Sequence, residues 1–278
     1  MNDDPCMKSV PFVKATARGN DFLLVESKEF ELNDVDGDKV EFTRQICDRH
    51  HGVGADGVEW LSASSTADLE IHLINADGSP AEISGNGTRC VAAYWFSRKK
   101  AGEIMNRVTI QTDAGPKICH LTRRSGPEFE FETEMGQAIV SDPLSLALKC
   151  GPVQGIPIST GNPHYVIFVD DFQPNWQQQA AEIGAHAHFL QGVNVELVKV
   201  LSEEAIEIRI YERGAGETQS SGTGSCASAV AAIATNRARS PLQVIAPGGP
   251  QTVRWEKNEI HLRGPARIIC HGEFLCRR

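Results

Sequence analysis

Residues 211–232, YERGAGETQSSGTGSCASAVAA, read as the end of a strand, a glycine-rich turn and the start of a helix built of small residues. A near copy stands earlier in the chain, at 75–93, NADGSPAEISGNGTRCVAA. Ser84-Gly85-Asn86-Gly87 corresponds to Ser221-Gly222-Thr223-Gly224, and a polar residue lies nine positions upstream of each serine, Asn75 in one copy and Glu212 in the other. The offset is 137 residues. Two further matches follow in the same order, Gly19-Asn20 with Gly161-Asn162 at 142 and Gly52-Val53-Gly54 with Gly192-Val193-Asn194 at 140. Ordered matches at a nearly constant offset indicate two copies of one unit. The boundaries expected are 1–126 plus 266–278 for one unit and 127–265 for the other.

Each Ser-Gly-x-Gly turn leaves unpaired backbone N–H groups at a helix start, where the helix dipole adds partial positive charge. Two such turns acting together favour a carboxylate or phosphate, and glycine lets the backbone approach it closely.

A chain of 278 residues with 41% apolar and 23% charged residues has the composition of a globular protein with room for two domains. A net charge of −9 and the lack of a long Lys/Arg run argue against a nucleic-acid partner. Arg98-Lys99-Lys100 instead reads as cations at a helix C-terminus before Gly102. The acidic start MNDDPCMKSV is no signal peptide, and no run of about 18 apolar residues suggests a membrane span, so a cytoplasmic protein is expected. The eight cysteines contain no C-x-x-C pair and read as reduced, mostly buried residues. Cys119-His120 and Cys270-His271 are adjacent in strand-like runs, where neighbours point to opposite faces, so no metal site is expected.

Strands are expected over 10–14, 22–26, 57–63, 69–75, 108–112, 117–122 and 127–133. Asp38 can cap a helix over 40–50, and a second helix runs from about 86 to 101. The segment 136–157 reads as irregular, fit to carry the crossing between units. The second half repeats the pattern, with strands over 164–169, 193–200 and 205–211, helices over 176–183 and 223–237, and closing strands near 243, 253, 260 and 268. AVAAIA, 229–234, carries no polar side chain on any face and should be enclosed by protein. Strands surrounding a buried helix make an α+β unit.

Neither Gly-x-Gly run fits a dinucleotide fingerprint. Gly214-Ala215-Gly216 is followed by Glu217-Thr218-Gln219, Gly85-Asn86-Gly87 by Thr88-Arg89-Cys90, and no Gly-Lys-Ser/Thr of a P-loop occurs. The runs RGNDF (18–22), DRHHGVGADG (48–57), NADGSPAEISGNGTRC (75–90), GNPH (161–164), GVNVE (192–196) and YERGAGETQSSGTGSCA (211–227) together resemble the diaminopimelate epimerase family in order and spacing. The resemblance implies two pseudo-symmetric α+β domains, each a mostly antiparallel sheet wrapped around a central helix, with a substrate cleft between them. It implies cofactor-independent epimerisation of LL- to meso-diaminopimelate on the lysine and peptidoglycan route. Asn20, Asn75, Asn162, Asn194, Glu212 and Arg213 would then hold the substrate, and Gly85-Asn86 and Gly222-Thr223 would take its reacting carboxylate. His164 and Glu212 match positions that assist catalysis. The partner expected is a small amino acid, with a homodimer left open.

One departure bears on the chemistry. The family has cysteines where this chain has Ser84 and Ser221, one thiolate removing the Cα proton and the other thiol supplying one to the opposite face. A hydroxyl needs a neighbouring base to be activated, so the chain is expected to be an impaired epimerase. A targeted Cys→Ser exchange and natural divergence both fit; Ala15-Thr16-Ala17, where the family has a Met-His-Gly run, favours divergence. Two alternatives remain, an isomerase or dehydratase of another amino or carboxylic acid, and a catalytically silent binder of such acids. Cys90 and Cys226, inside their helices, read as packed residues.

Overall fold

A computed structural model describes residues 8–32, 38–99 and 105–276. The readings of the first seven residues, of Lys100 and Gly102, and of the helix end at Ala101 lie outside the described residues. The chain divides into two compact units, Met1–Phe131 with Pro265–Arg278, and Glu132–Gly264.

In the first unit, β1 (Lys8–Ala17) and β2 (Asn20–Glu26) form a hairpin whose turn puts Arg18 and Gly19 at φ 52° and 90°. After α1 (Ser27–Leu32) and α2 (Lys39–Cys47) come β3 (Gly57–Ser62), β4 (Leu69–Asn75), the short β5 (Pro80–Ala81), the central α3 (Gly85–Ser97), β6 (Arg107–Thr112), β7 (Gly115–Ser125) and β8 (Glu128–Gln137). Asp38 caps α2 as expected, its Oδ1 accepting from the Val40 N–H at 3.0 Å. β2 pairs parallel with β3, β3 antiparallel with β4, β4 parallel with β6, and β6 antiparallel with β7.

The second unit repeats this plan. It runs through β9 (Ile139–Val140), β10 (Leu144–Leu148), β11 (Gly151–Ser159), β12 (Pro163–Phe168), α4 (Trp176–Gly184), β13 (Asn194–Ser202), β14 (Ala205–Glu212), β15 (Gly216–Thr218), the central α5 (Gly222–Ala234), β16 (Leu242–Ala246), β17 (Gly249–Glu256) and β18 (Glu259–Cys276). β12 pairs parallel with β13, β13 antiparallel with β14, β14 parallel with β16, and β16 antiparallel with β17. Register matches as well as order: Phe22 faces Gly57 across β2 and β3, and His164 faces Asn194 across β12 and β13. The α+β class and the sheet wrapped around a central helix therefore hold for both units.

Each central helix is enclosed because its residues are small or apolar. Cys90, Val91, Ala92 and Ala93 of α3 are fully buried and pack with Leu24, Leu73, Val108 and Phe131. In α5, Ala229 to Ala232 are buried beside Ile208, Ile210, Val244 and Leu262, and the helix emerges at Ala234. Burial of an apolar side chain stabilises by ~1.5–3 kcal/mol, and alanines let the strands approach the helix axis.

Two expectations are corrected. Residues 136–157 are not irregular: Leu146 and Leu148 are buried, and β10 and β11 form an antiparallel hairpin about Gly151, at φ 112°. The chain instead passes between the units inside two continuous strands, β8 and β18. The strands expected separately near 260 and 268 are one strand of 18 residues. Among the described residues, no helix is long and apolar enough to cross a membrane.

Candidate active site

Ser84 and Ser221 are the N-caps of α3 and α5. Both have extended backbone, φ −122° and −133°, and both side chains accept from the N–H three residues on, Gly87 and Gly224, at 3.1 Å. The local sequence dictates this: serine accepts well at an N-cap, and the glycines that follow leave space over the first turn. Ser84 is half-buried and Ser221 buried. Gly85 and Asn86 open α3, and Gly222 and Thr223 open α5, all buried.

Each unit also brings one strand-end asparagine to its helix start. Asn20, opening β2, accepts from the Asn86 Nδ2 at 2.5 Å, and the Asn86 oxygen accepts from Arg89. Asn162, beside β12, lies 3.4 Å from the Thr223 hydroxyl. The equivalence of Gly19-Asn20 and Gly161-Asn162 read from the sequence thus reappears as equivalent contacts. In the first unit an ionic network anchors the asparagine. Asp56 accepts from Asn20 Nδ2 at 3.2 Å and from the Asp21 N–H at 3.0 Å, while Arg49 reaches Asp21 and Asp56, each at 2.8 Å. Lys14 joins at 2.9 Å from Asp21. Partial burial pushes the Asp21 carboxyl up, but the Arg49 and Lys14 contacts outweigh it and hold the group below the usual carboxylate range.

The remaining predicted residues have these surroundings. His164 has no exposed side-chain surface, its Nδ1 2.8 Å from Glu196 Oε1 and its Nε2 2.9 Å from Asn162 Oδ1. Asn194 donates to the Pro163 carbonyl at 3.0 Å and accepts from the Arg213 N–H at 2.9 Å. The Arg213 guanidinium donates to the Gln191 carbonyl at 3.0 Å, and Glu212 accepts from the Thr218 hydroxyl at 2.7 Å. Asn75, ending β4, donates to Ser79 at 3.1 Å. Ser84, Gly85, Asn86 and Asn20 are gathered at one helix start, and Ser221, Gly222, Thr223, Asn162 and His164 at the other; Asn75 and Glu212 end equivalent strands. Cys90 and Cys226 are fully buried inside their helices, and burial pushes the Cys90 thiol up, as fits packed residues.

Two glutamates at these helix starts escape sequence reasoning. Glu59 on β3 and Glu196 on β13 are fully buried and 137 residues apart, the same offset as the two serines. A Cβ added to Gly87 would stand 1.9 Å from Glu59 Oε1 and 3.2 Å from Ser84 Cβ; one added to Gly224 would stand 2.6 Å from Glu196 Oε1 and 3.2 Å from Ser221 Oγ. Glu196 is paired with His164, whereas neither oxygen of Glu59 has a hydrogen-bond partner among the described residues. The residue matching His164 by register is Phe22. Burial first, and the Asp113 charge second, push the Glu59 carboxyl up to about 8. The signal available was a carboxylate inside the apolar run Gly57-Val58-Glu59-Trp60-Leu61, repeated at the serine offset.

This packing predicts that Gly87→Ala destabilises the protein by ~1–3 kcal/mol, because the new methyl must displace a carboxyl confined among apolar side chains. Urea denaturation should show the loss in the native background and little of it in Glu59→Ala, where the obstructing group is gone. An equal loss in both backgrounds would place the strain elsewhere.

The arrangement suits abstraction or delivery of a proton next to a carboxylate: a hydroxyl at each helix start, amide groups beside it, and a buried carboxyl behind. The comparisons agree in family and fold. The family model described as diaminopimelate epimerase matches residues 12–140 and 156–269. The diaminopimelate epimerase of Pelotomaculum thermopropionicum is 35% identical over 95% of this chain and 98% of its own, and that of Parabacteroides distasonis 33% identical over 95% and 98%. Among solved structures, a hydroxyproline epimerase from Agrobacterium vitis superposes with a TM-score of 0.73 at 14% identity, covering 97% of this chain and 92% of its own. A probable proline racemase from Agrobacterium radiobacter gives 0.74, also at 14%, covering 95% and 92%. At that identity they speak for the fold, while the sequence relatives and the family match, spanning both serine-capped helices, show that this chain belongs to the diaminopimelate epimerase family.

Proposed function

We propose that the protein is a cofactor-independent epimerase interconverting LL- and meso-diaminopimelate in the cytoplasm, with its two serine-capped helix starts acting on one substrate carbon. The observation that carries this reading is the duplication of one chemical assembly: a serine N-cap, an asparagine held against the second helical residue, and a buried glutamate behind the first turn, once in each unit. Inversion at a carbon requires a proton to leave one face and another to reach the opposite face, and a duplicated assembly supplies two equivalent groups for that purpose. Gly85-Asn86 and Gly222-Thr223 would hold the reacting carboxylate at the positive helix ends. Asn20, Asn75, Asn162, Asn194, Glu212 and Arg213 would hold the rest of the substrate, and His164 and Glu212 would assist Ser221.

Serine in place of thiol makes this a slow epimerase, since a hydroxyl is far harder to ionise than a thiol. Calorimetric titration with LL- and meso-diaminopimelate should show binding of both isomers at one site per chain. Folded protein that binds neither would transfer the site to another amino or carboxylic acid, and binding with no α-proton exchange would mark a silent binder.

A further inference from the structure

We propose that Glu59 is the proton acceptor and donor behind Ser84, so that the Ser84 hydroxyl exchanges a proton with substrate by relaying it to and from this buried carboxyl. The inference rests on the epimerase reading and identifies what makes a serine usable in it.

Glu59 and the Ser84 side chain adjoin the same residue. Ser84 Oγ takes the Gly87 N–H at 3.1 Å, and Glu59 Oε1 occupies the space a Gly87 side chain would fill. Glycine at 87 is what lets the carboxyl stand under the turn. The Ser84 oxygen already accepts from Gly87, so its own proton remains for donation. Glu59 is fully buried, both its oxygens lack a hydrogen-bond partner among the described residues, and it is flanked in register by Leu24 of β2 and Leu73 of β4. The titratable groups acting on it are Asp113 and, on α3, the Cys90 thiol. An unpaired buried carboxyl in a hydrophobic cluster costs stability, yet this one stands at a catalytic helix start and repeats the position of Glu196 behind Ser221. Its raised pKa places the proton affinity near neutral pH, where a group can both accept and release a proton. Catalytic hydrogen bonds that are long without substrate tighten when it binds, and the relay requires the Ser84 hydroxyl to reach a Glu59 oxygen in that way.

The Cα–H bond breaks and its proton forms a new bond to Ser84 Oγ, while the original Oγ–H bond breaks and that proton bonds to a Glu59 oxygen. The electron pair of the C–H bond stays on the substrate, delocalised into its carboxylate at the helix start. Ser221 delivers a proton to the opposite face, backed by Glu196 and His164. Nothing is oxidised, and exchange with solvent returns both assemblies to their starting protonation. In the reverse direction, protonated Glu59 replenishes Ser84 as it donates. Glu59 is thus a positioning residue for proton transfer, acting through Ser84.

The test is α-proton exchange in deuterated water, followed by NMR on LL- and meso-diaminopimelate from pH 6 to 9, with calorimetric binding measured alongside. In Glu59→Gln, which resembles the protonated form and keeps the packing, exchange should fall by about 10²-fold or more. Substrate affinity should be unchanged, and the inflection near pH 8 should disappear. Glu59→Asp should retain part of the rate. In a Ser84→Cys, Ser221→Cys background the effect should reverse, because a thiolate needs no relay and a nearby carboxylate only opposes its formation, so Glu59→Gln should leave exchange equal or faster. If native protein exchanges and Glu59→Gln exchanges equally fast with the same pH profile, the relay is wrong and the epimerase reading stands. If native protein binds but exchanges no α-proton, both are wrong.

Discussion

Ser84→Cys combined with Ser221→Cys should raise the epimerisation rate by roughly 10²–10⁴-fold over the native chain, the size of one well-placed acid/base group. The reason lies in the two N-caps. A thiol ionises near pH 8.5 in water and lower at a helix start, whereas a hydroxyl does not ionise in the physiological range. Both side chains already stand over a first turn whose N–H groups and dipole favour an anion. Either exchange alone should speed hydrogen exchange on one face far more than it speeds inversion, because the opposite face still depends on the slower serine. The same substitutions should cost stability, up to ~1 kcal/mol per helix, since the Ser84 and Ser221 oxygens each accept an N–H at 3.1 Å that a sulfur accepts poorly. Racemisation assays and thermal melts on the four combinations check both effects. A double cysteine form that binds diaminopimelate and stays inert would sink the two-face assignment.

Stability should fall as pH rises from about 4.5 to about 8, and Glu59→Gln should abolish that part of the dependence. The folded carboxyl holds its proton up to about 8, against an ordinary value near 4.5. Between those values the unfolded chain has released a proton that the folded chain retains, so raising the pH favours unfolding at ~1.4 kcal/mol per unit from this group. Below the window both states are protonated, above it both are ionised, and the contribution is flat. Summed across the window the effect is on the order of 4–5 kcal/mol. Glu59→Gln should therefore gain on the native protein steadily from pH 5 to 8. Urea denaturation at pH 5, 6, 7 and 8 measures it. A difference independent of pH would mean that the folded carboxyl is ionised.

Ser84 and Ser221 were legible as helix starts because an N-cap is local: the oxygen that accepts and the N–H that donates are three residues apart, and glycine, serine and small residues in that order leave few other conformations. The Asp38 cap was legible for similar reasons, and so was most of the enclosed run expected over 229–234, of which 229–232 are buried while Ala234 is exposed. The pairing of Asn20 with Asn86, and of Asn162 with Thr223, followed from the repeat only once the topology put β2 beside α3 and β12 beside α5.

The duplication, the α+β class and the capped helices could be read from the chain, because each depends on chain neighbours or on periodicity. The rest was set by contacts between segments distant along the chain. Residues 144–155 became a hairpin and 259–276 one continuous strand because partner strands were present to take their backbone groups. Glu196 became an ion-pair partner, and Glu59 a buried acid with no hydrogen-bond partner among the described residues, because β12 supplies His164 at the position where β2 supplies Phe22. The protonation of a carboxyl is set by what lies within a few ångströms across strands distant in sequence, and neighbours along the chain carry no record of it.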